Sequence, residues 1–143
     1  MKIKLLIFLL LFSICSSDVV DKGIFIDPVD LKNLQILETN ENIDLSNNNF
    51  LIINYWASWC LECIEEHPYL IELSKTKGFE NSVFMLSFQD SRENALKFIN
   101  EYGVGNIQYV VDQNSKIAIY SGVFGVPETH IVKNGEVIKK YIG

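Results

Sequence analysis

Seven residues, six of them apolar, run from Phe50 to Trp56 (FLIINYW), and three residues later comes Cys60-Leu61-Glu62-Cys63. A run of this kind marks a strand buried on both faces, which needs helices packed on either side of its sheet. The loop Ala57-Ser58-Trp59 then leads into a helix predicted from about Cys60. Ser58 is a plausible cap, and Glu62, Glu65 and Glu66 complement the positive end of the helix dipole. Leu70, Ile71 and Leu73 supply the later apolar face of this helix. Pro68 is expected to kink it and Gly78 to stop it.

The rest of the chain continues the alternation. Val83 to Phe88 reads as a strand, and Ser91 to Tyr102 as a helix with Ala95, Phe98, Ile99 and Tyr102 at helical spacing and Gly103 at its end. Gln108 to Val111 is a short strand closed by Asp112, and Ser115 to Tyr120 a short helix. Thr129 to Lys133 and Val137 to Ile142 form a hairpin around Asn134-Gly135. Residues 18–49 read as an irregular entry region, with a short strand within Lys22 to Pro28 and a polar loop over Asn40 to Asn49. Strands alternating with helices, then a hairpin, imply an α/β domain with a central mixed sheet flanked by helices. The chain length of 143 residues fits one such domain.

Residues 1–17 form a separate unit. Lys2 and Lys4 precede the apolar run Leu5 to Phe12, and Cys15, Ser16 and Ser17 follow. This is the layout of a secretory signal peptide cut near Ser17, or of an N-terminal membrane anchor. Either makes residues 18–143 an exported domain. Without the leader, 10 basic residues face 18 acidic ones, a net charge of −8. An acidic body of this kind has no basic cluster for nucleic acid.

Setting Cys15 aside leaves one tight pair of cysteines in an exported protein, which is not a disulfide scaffold. Thiols at this spacing lie one helical turn apart. At the helix start, Cys60 meets unsatisfied amides and the dipole, both of which favour the attacking thiolate. Cys60 is therefore expected to be the nucleophile, and Cys63, one turn inside, the resolving thiol. A zinc site would need two more ligands, and only His67 and His130 remain. No prosthetic group or metal is called for, the redox element being the Cys60–Cys63 disulfide.

The string Trp56 to Cys63, with Pro68 five residues on, resembles the thioredoxin active site. Cys63-Ile64-Glu65-Glu66-His67 and Gly122-Val123-Phe124-Gly125-Val126-Pro127-Glu128-Thr129 narrow the likeness to the thioredoxin-like reductases of cytochrome c maturation, the CcmG/DsbE type. The resemblance runs from about Phe50 to the C-terminus. It implies a thioredoxin-like fold and a thiol:disulfide oxidoreductase that keeps the haem-attachment cysteines of apocytochrome c reduced. It also implies a periplasmic place, often at the inner membrane, and a membrane thiol-transfer protein as electron donor. By the same resemblance Val126-Pro127 is a cis-proline loop that presents the Val126 backbone to an extended substrate. Glu66 is implied as an acid that relays protons to the resolving thiol, with one more surface acid of an acidic helix as the plainer reading. Trp59 is expected beside Cys60 as a partner contact. Glu128 is expected to orient the loop or the substrate, with a solvated strand-start charge as the plainer reading.

The sequence departs from that pattern in three places. Leu61 and Glu62 stand where a proline is common, and a carboxylate at Glu62 opposes a nearby thiolate. His130 stands where Phe is frequent. Gly143 ends the sequence before the last helix usual in the fold, so either that helix is apparently absent and one sheet face is expected to be partly uncovered, or the sequence is truncated. For Asp112, a turn cap is the simpler expectation and tuning of the thiols the alternative. His67 and His130 read as structural. Three other functions keep the same residues in play. One is a general exported disulfide reductase or oxidase, another a copper carrier using Cys60, Cys63 and a histidine, and the third a peroxidase. The last lacks a threonine before the cysteine.

Overall fold

A computed structural model describes residues 23–143. The leader, its boundary near Ser17 and residues 18–22 lie outside the described residues. Four α-helices and seven strands follow in chain order: α1 (Pro28–Leu31), β1 (Leu34–Ile36), β2 (Asn42–Ile43), β3 (Phe50–Trp56), α2 (Leu61–Lys75), β4 (Val83–Ser87), α3 (Arg92–Tyr102), β5 (Gln108–Val111), α4 (Lys116–Tyr120), β6 (Glu128–Lys133) and β7 (Glu136–Ile142). They build one mixed sheet in the order β2-β1-β5-β4-β3-β6-β7. The central pairs β3/β4 and β4/β5 are parallel, while β3/β6, β6/β7, β1/β5 and β1/β2 are antiparallel.

The two faces of β3 organise the core, because successive side chains of a strand point to opposite faces. Leu51, Ile53 and Tyr55 pack with Leu31 of α1, and with Ile117 and Ala118 of α4. Ile52 and Trp56 pack on the other face with Leu70 of α2, and with Phe98 and Ile99 of α3. The Trp56 ring lies 4.6 Å from that of Phe98. Near the β7 edge, Ile138, Tyr141 and Ile142 are exposed.

Local rules account for most boundaries. Ser91 caps α3 by accepting from the Asn94 amide, and Gly103 ends it at φ 85°. In the β6–β7 turn, Asn134 and Gly135 have φ 52° and 80°, the left-handed pair that a two-residue hairpin needs. The entry region carries more order than its composition suggests. The segment around Phe25 bridges to Glu136, with Ile26 N–H donating to Gly135 and Val137 N–H to Ile24. The expected loop over Asn40 to Asn49 contains β2. β1 and β2 are too short to show a period; β1 pairs with the edge of β5, and β2 pairs in turn with β1.

Two helix signals need correction. Ser58 does not cap α2; its amide and hydroxyl both donate to Asp90, at 2.6 and 3.0 Å. Cys60 is the N-cap instead. Gly78 does not end α2, which stops at Lys75 with Thr76 as C-cap. Gly78 takes φ 96° in the following turn.

Asp112 is buried at the end of β5 and its Oδ2 accepts from the Ala118 amide of α4 at 3.1 Å. Burial holds its carboxyl above the usual value, against the pull of backbone amides of α4. This is a helix-capping role, so Asp112→Ala should lower unfolding free energy by about 1–2 kcal/mol in urea titrations. The reduction potential of the cysteine pair should stay unchanged in that variant, whereas a shifted potential would restore the thiol-tuning reading.

Candidate active site

The site forms where β3 ends, α2 begins and the α4–β6 loop returns. Cys60 precedes the first turn of α2 in extended conformation, and its Sγ accepts from the Cys63 amide at 3.1 Å. The two cysteines are joined in a disulfide, with Cα atoms 5.2 Å apart. Both are buried. The sulfur of Cys60 thus stands where the helix presents an unpaired amide and its positive dipole end, the setting that stabilises a thiolate after reduction. Leu61 and Glu62 between them are exposed, so the Glu62 carboxylate acts on the sulfur through solvent and is well screened.

The peptide bond Val126–Pro127 is cis. It brings the Val126 carbonyl oxygen to 3.5 Å from Cys60 Sγ. Pro127 is buried beneath the loop, and its carbonyl accepts from the Gly143 amide. Trp59 stays 59% exposed beside the disulfide while its indole Nε1–H donates to the Gln89 carbonyl. The Cys60–Cys63 disulfide and the Val126–Pro127 loop therefore meet, with Trp59 exposed next to Cys60 in the chain. Phe124, in the same loop as Val126, is 96% exposed. An aromatic in a loop flanked by Gly122 and Gly125 is a recognisable contact signal in the sequence.

Glu66 lies one turn after Cys63 on α2 and is half-buried. Its Oε2 accepts from Asn54 Nδ2 at 3.1 Å. Burial raises its pKa, and the Asn54 bond offsets part of the rise. A carboxyl that holds its proton more tightly than usual is suited to exchange it with a thiol. Asn54 is the one polar residue in the apolar run Phe50 to Trp56, which is the signal the sequence carries for it.

Glu128 does not join this group, and it is not a solvated charge. It is 5% exposed, and its Oε1 lies 2.6 Å from His130 Nε2. The register explains why: Glu128 is opposite Tyr55 and His130 opposite Ile53, on the sheet face away from α2. Burial keeps the His130 pKa below its ordinary value despite the adjacent carboxylate. His67 is buried on the other face, with Nε2 2.6 Å from the Tyr109 hydroxyl and its ring edge-on to Phe98. Burial lowers its pKa as well. Both histidines are structural, as expected. Among the described residues, no group of three or more His, Cys, Asp or Glu is placed to hold a metal ion.

A thioredoxin-like fold carrying a dithiol at a helix N-terminus beside a cis-proline defines the thioredoxin-like class. The redoxin profile matches residues 29–143, and the chain belongs to that family. The chain is 38% identical over 93 residues to the thiol:disulfide interchange protein CycY of Rhizobium leguminosarum bv. viciae, covering 64% of this chain and 49% of CycY. It is 34% identical over 122 residues to the thiol:disulfide interchange protein DsbE of Haemophilus influenzae, covering 81% of this chain and 65% of that one. The chain spans about half the length of several of the curated relatives it matches. The structure of a putative thiol:disulfide interchange protein DsbE from Chlorobium tepidum superposes with a TM-score of 0.71 at 21% identity, covering 87% of this chain and 86% of that one. Among the described residues no helix is long and apolar enough to cross a membrane.

The two buried histidines set an acid limit on stability. Each has a folded pKa below its unfolded value, so the neutral form is favoured by folding. Their contribution is complete above about pH 6.5 and is lost as pH falls below it. Glu66 and Asp112 have raised values, which favour their protonated forms and work in the opposite sense. The urea midpoint should fall between pH 7 and pH 5, and this fall should be much reduced in the double variant His67→Gln, His130→Gln. An equal fall in both proteins would refute the assignment.

Proposed function

We propose that this protein is an exported thiol:disulfide reductase whose substrate is the oxidised haem-attachment cysteine pair of apocytochrome c. The observation that carries the reading is the N-cap sulfur of Cys60, bonded by the Cys63 amide and set 3.5 Å from the carbonyl of the residue before a cis-proline. The names of the relatives support interchange chemistry; the cytochrome substrate rests on the resemblance of the two motifs.

In the reduced protein, Cys60 thiolate attacks one sulfur of the substrate disulfide. A mixed disulfide forms and one substrate thiolate leaves. Cys63, deprotonated by Glu66, then attacks Cys60 Sγ, releasing the second substrate thiolate and leaving the Cys60–Cys63 disulfide. Two electrons pass to the substrate, and the proton held by Glu66 goes to the departing thiolate. An extended substrate segment pairs with the Val126 backbone, its cysteine delivered to Cys60, with Trp59 as a flanking contact. Pro127 shapes this loop. Glu128, tied to His130, fixes the start of β6 and so the position of the loop.

The oxidised protein is reset by a membrane thiol-transfer protein acting as electron donor, with no prosthetic group in the cycle. Residues 1–17 serve as signal peptide or inner-membrane anchor, which places the domain in the periplasm. Residues 18–143 act as one domain.

The reduction potential of the cysteine pair tests this reading. It should lie clearly below about −200 mV; a value near −120 mV would make the protein an oxidant and end the cytochrome assignment. Cys63→Ser should trap a mixed disulfide with a disulfide-bonded C-x-x-C-H peptide in preference to an unrelated disulfide peptide. Equal trapping of both would favour a general exported reductase.

A further inference from the structure

Asn54 sits in the middle of β3, 1% exposed, and points to the α2 face of the sheet. One nitrogen, Nδ2, donates to two groups: Glu66 Oε2 at 3.1 Å and Thr129 Oγ1 at 2.9 Å. Thr129 is the residue directly opposite Asn54 on β6, two positions after Pro127. The amide oxygen Asn54 Oδ1 has no partner among the described residues. A buried acceptor left unpaired calls for an explanation. No ion pair holds Glu66 among the described residues, so Asn54 is the group that fixes the carboxyl.

The chemistry of the three groups supplies the explanation. An ionised carboxyl only accepts hydrogen bonds, and it meets the N–H of Asn54. A protonated carboxyl has a hydrogen to donate, which an amide nitrogen cannot accept. Turning the Asn54 amide through half a revolution exchanges Oδ1 for Nδ2 at the same position. Oδ1 then accepts from the Glu66 O–H and from the Thr129 O–H, using both of its lone pairs. Thr129 permits this because a hydroxyl donates or accepts equally well. In each arrangement the outward end of the amide is the end left without a partner, and the bond to the ionised carboxyl is the stronger of the two because it is charge-assisted.

Resting on the reading of Glu66 as the proton relay to Cys63, we propose that Asn54 and Thr129 are positioning residues for that relay, an amide and a hydroxyl whose hydrogen bonds reverse in sense as the carboxyl gains and loses its proton. No proton passes through them. During resolution the Cys63 thiol gives its proton to Glu66 and attacks Cys60 Sγ. The Cys60–substrate bond breaks, and the expelled thiolate takes the proton back from Glu66. The amide turns once as the carboxyl is charged and once as it is discharged. Because Thr129 belongs to the strand that follows the cis-proline, the same residue anchors the relay and the substrate loop.

The test is the carbon-13 titration of the Glu66 carboxyl in the oxidised protein, assigned by its loss in Glu66→Gln. Asn54→Ala should raise the midpoint by about one pH unit, the tenfold change expected when a charge-assisted bond is removed. Thr129→Val should raise it by a smaller step, and Thr129→Ser, which restores the hydroxyl, should leave it unmoved. The Thr129 pair decides the matter even if Asn54→Ala fails to fold. An unmoved midpoint in Thr129→Val, or one equally raised in Thr129→Ser, overturns the proposal and leaves the relay itself intact. The relay is read separately, from the rate of mixed-disulfide resolution against pH. That rate should fall in Glu66→Gln; an unchanged rate overturns the relay and, with it, the role assigned to Asn54.

Discussion

The antiparallel pairing of β3 with β6 is the interaction on which the site depends. Six residues of each strand are matched, from Phe50 opposite Lys133 to Tyr55 opposite Glu128. β6 therefore begins where β3 ends, and the residues just before β6 must lie beside those just after β3. These are Val126 and Pro127 on one side and the Cys60 loop on the other. A slip of one residue would exchange the faces of every β6 side chain. Asn54 would lose Thr129, and Glu128 with His130 would turn toward α2. The covalent chemistry at Cys60 thus inherits its geometry from a ladder of main-chain bonds some 66 residues removed in sequence.

The same ladder separates two acid groups that sit close in the chain's logic but differ in environment. Glu66 lies on the α2 face, bonded to a neutral amide and half-buried. Glu128 lies on the opposite face, buried against an imidazole. The first has a raised pKa and can exchange a proton with its surroundings, while the second is hydrogen-bonded to His130. His130 is what makes the burial of Glu128 tolerable, since a buried carboxylate without a partner is costly. His130 and Glu128 are in this chain one unit.

Much of this was legible from local pattern. The apolar run Phe50 to Trp56, the spacing in α3 with its Ser91 cap, and Asn134-Gly135 each announce an element through short-range physics. So did the cysteine pair at a helix start. The sequence was silent where long-range contacts decide. β1 and β2 are three and two residues long; β1 owes its existence to the edge of β5, and β2 to the edge of β1. Ser58 looked like a cap because of its neighbours, yet the carboxylate that claims it belongs to Asp90, 32 positions away. Glu128 could have been read correctly, because residues two apart on a strand share a face and His130 was in view. The bond from Asn54 to Thr129 spans 75 positions and had no local signature.

The grip on the loop before Cys60 has a further meaning. Asp90 takes both the amide and the hydroxyl of Ser58, and the Gln89 carbonyl takes the Trp59 indole. The Gln89 amide is in turn fixed by the Ser115 hydroxyl. None of these bonds uses a sulfur atom, so breaking the S–S bond removes none of them. The conformational entropy of this loop is given up once, when the chain folds, and is not demanded again at each encounter with a partner. An oxidised and a reduced copy of the protein thus offer nearly the same rigid surface here. Partners that must tell the two apart have little to read in this loop beyond the sulfurs.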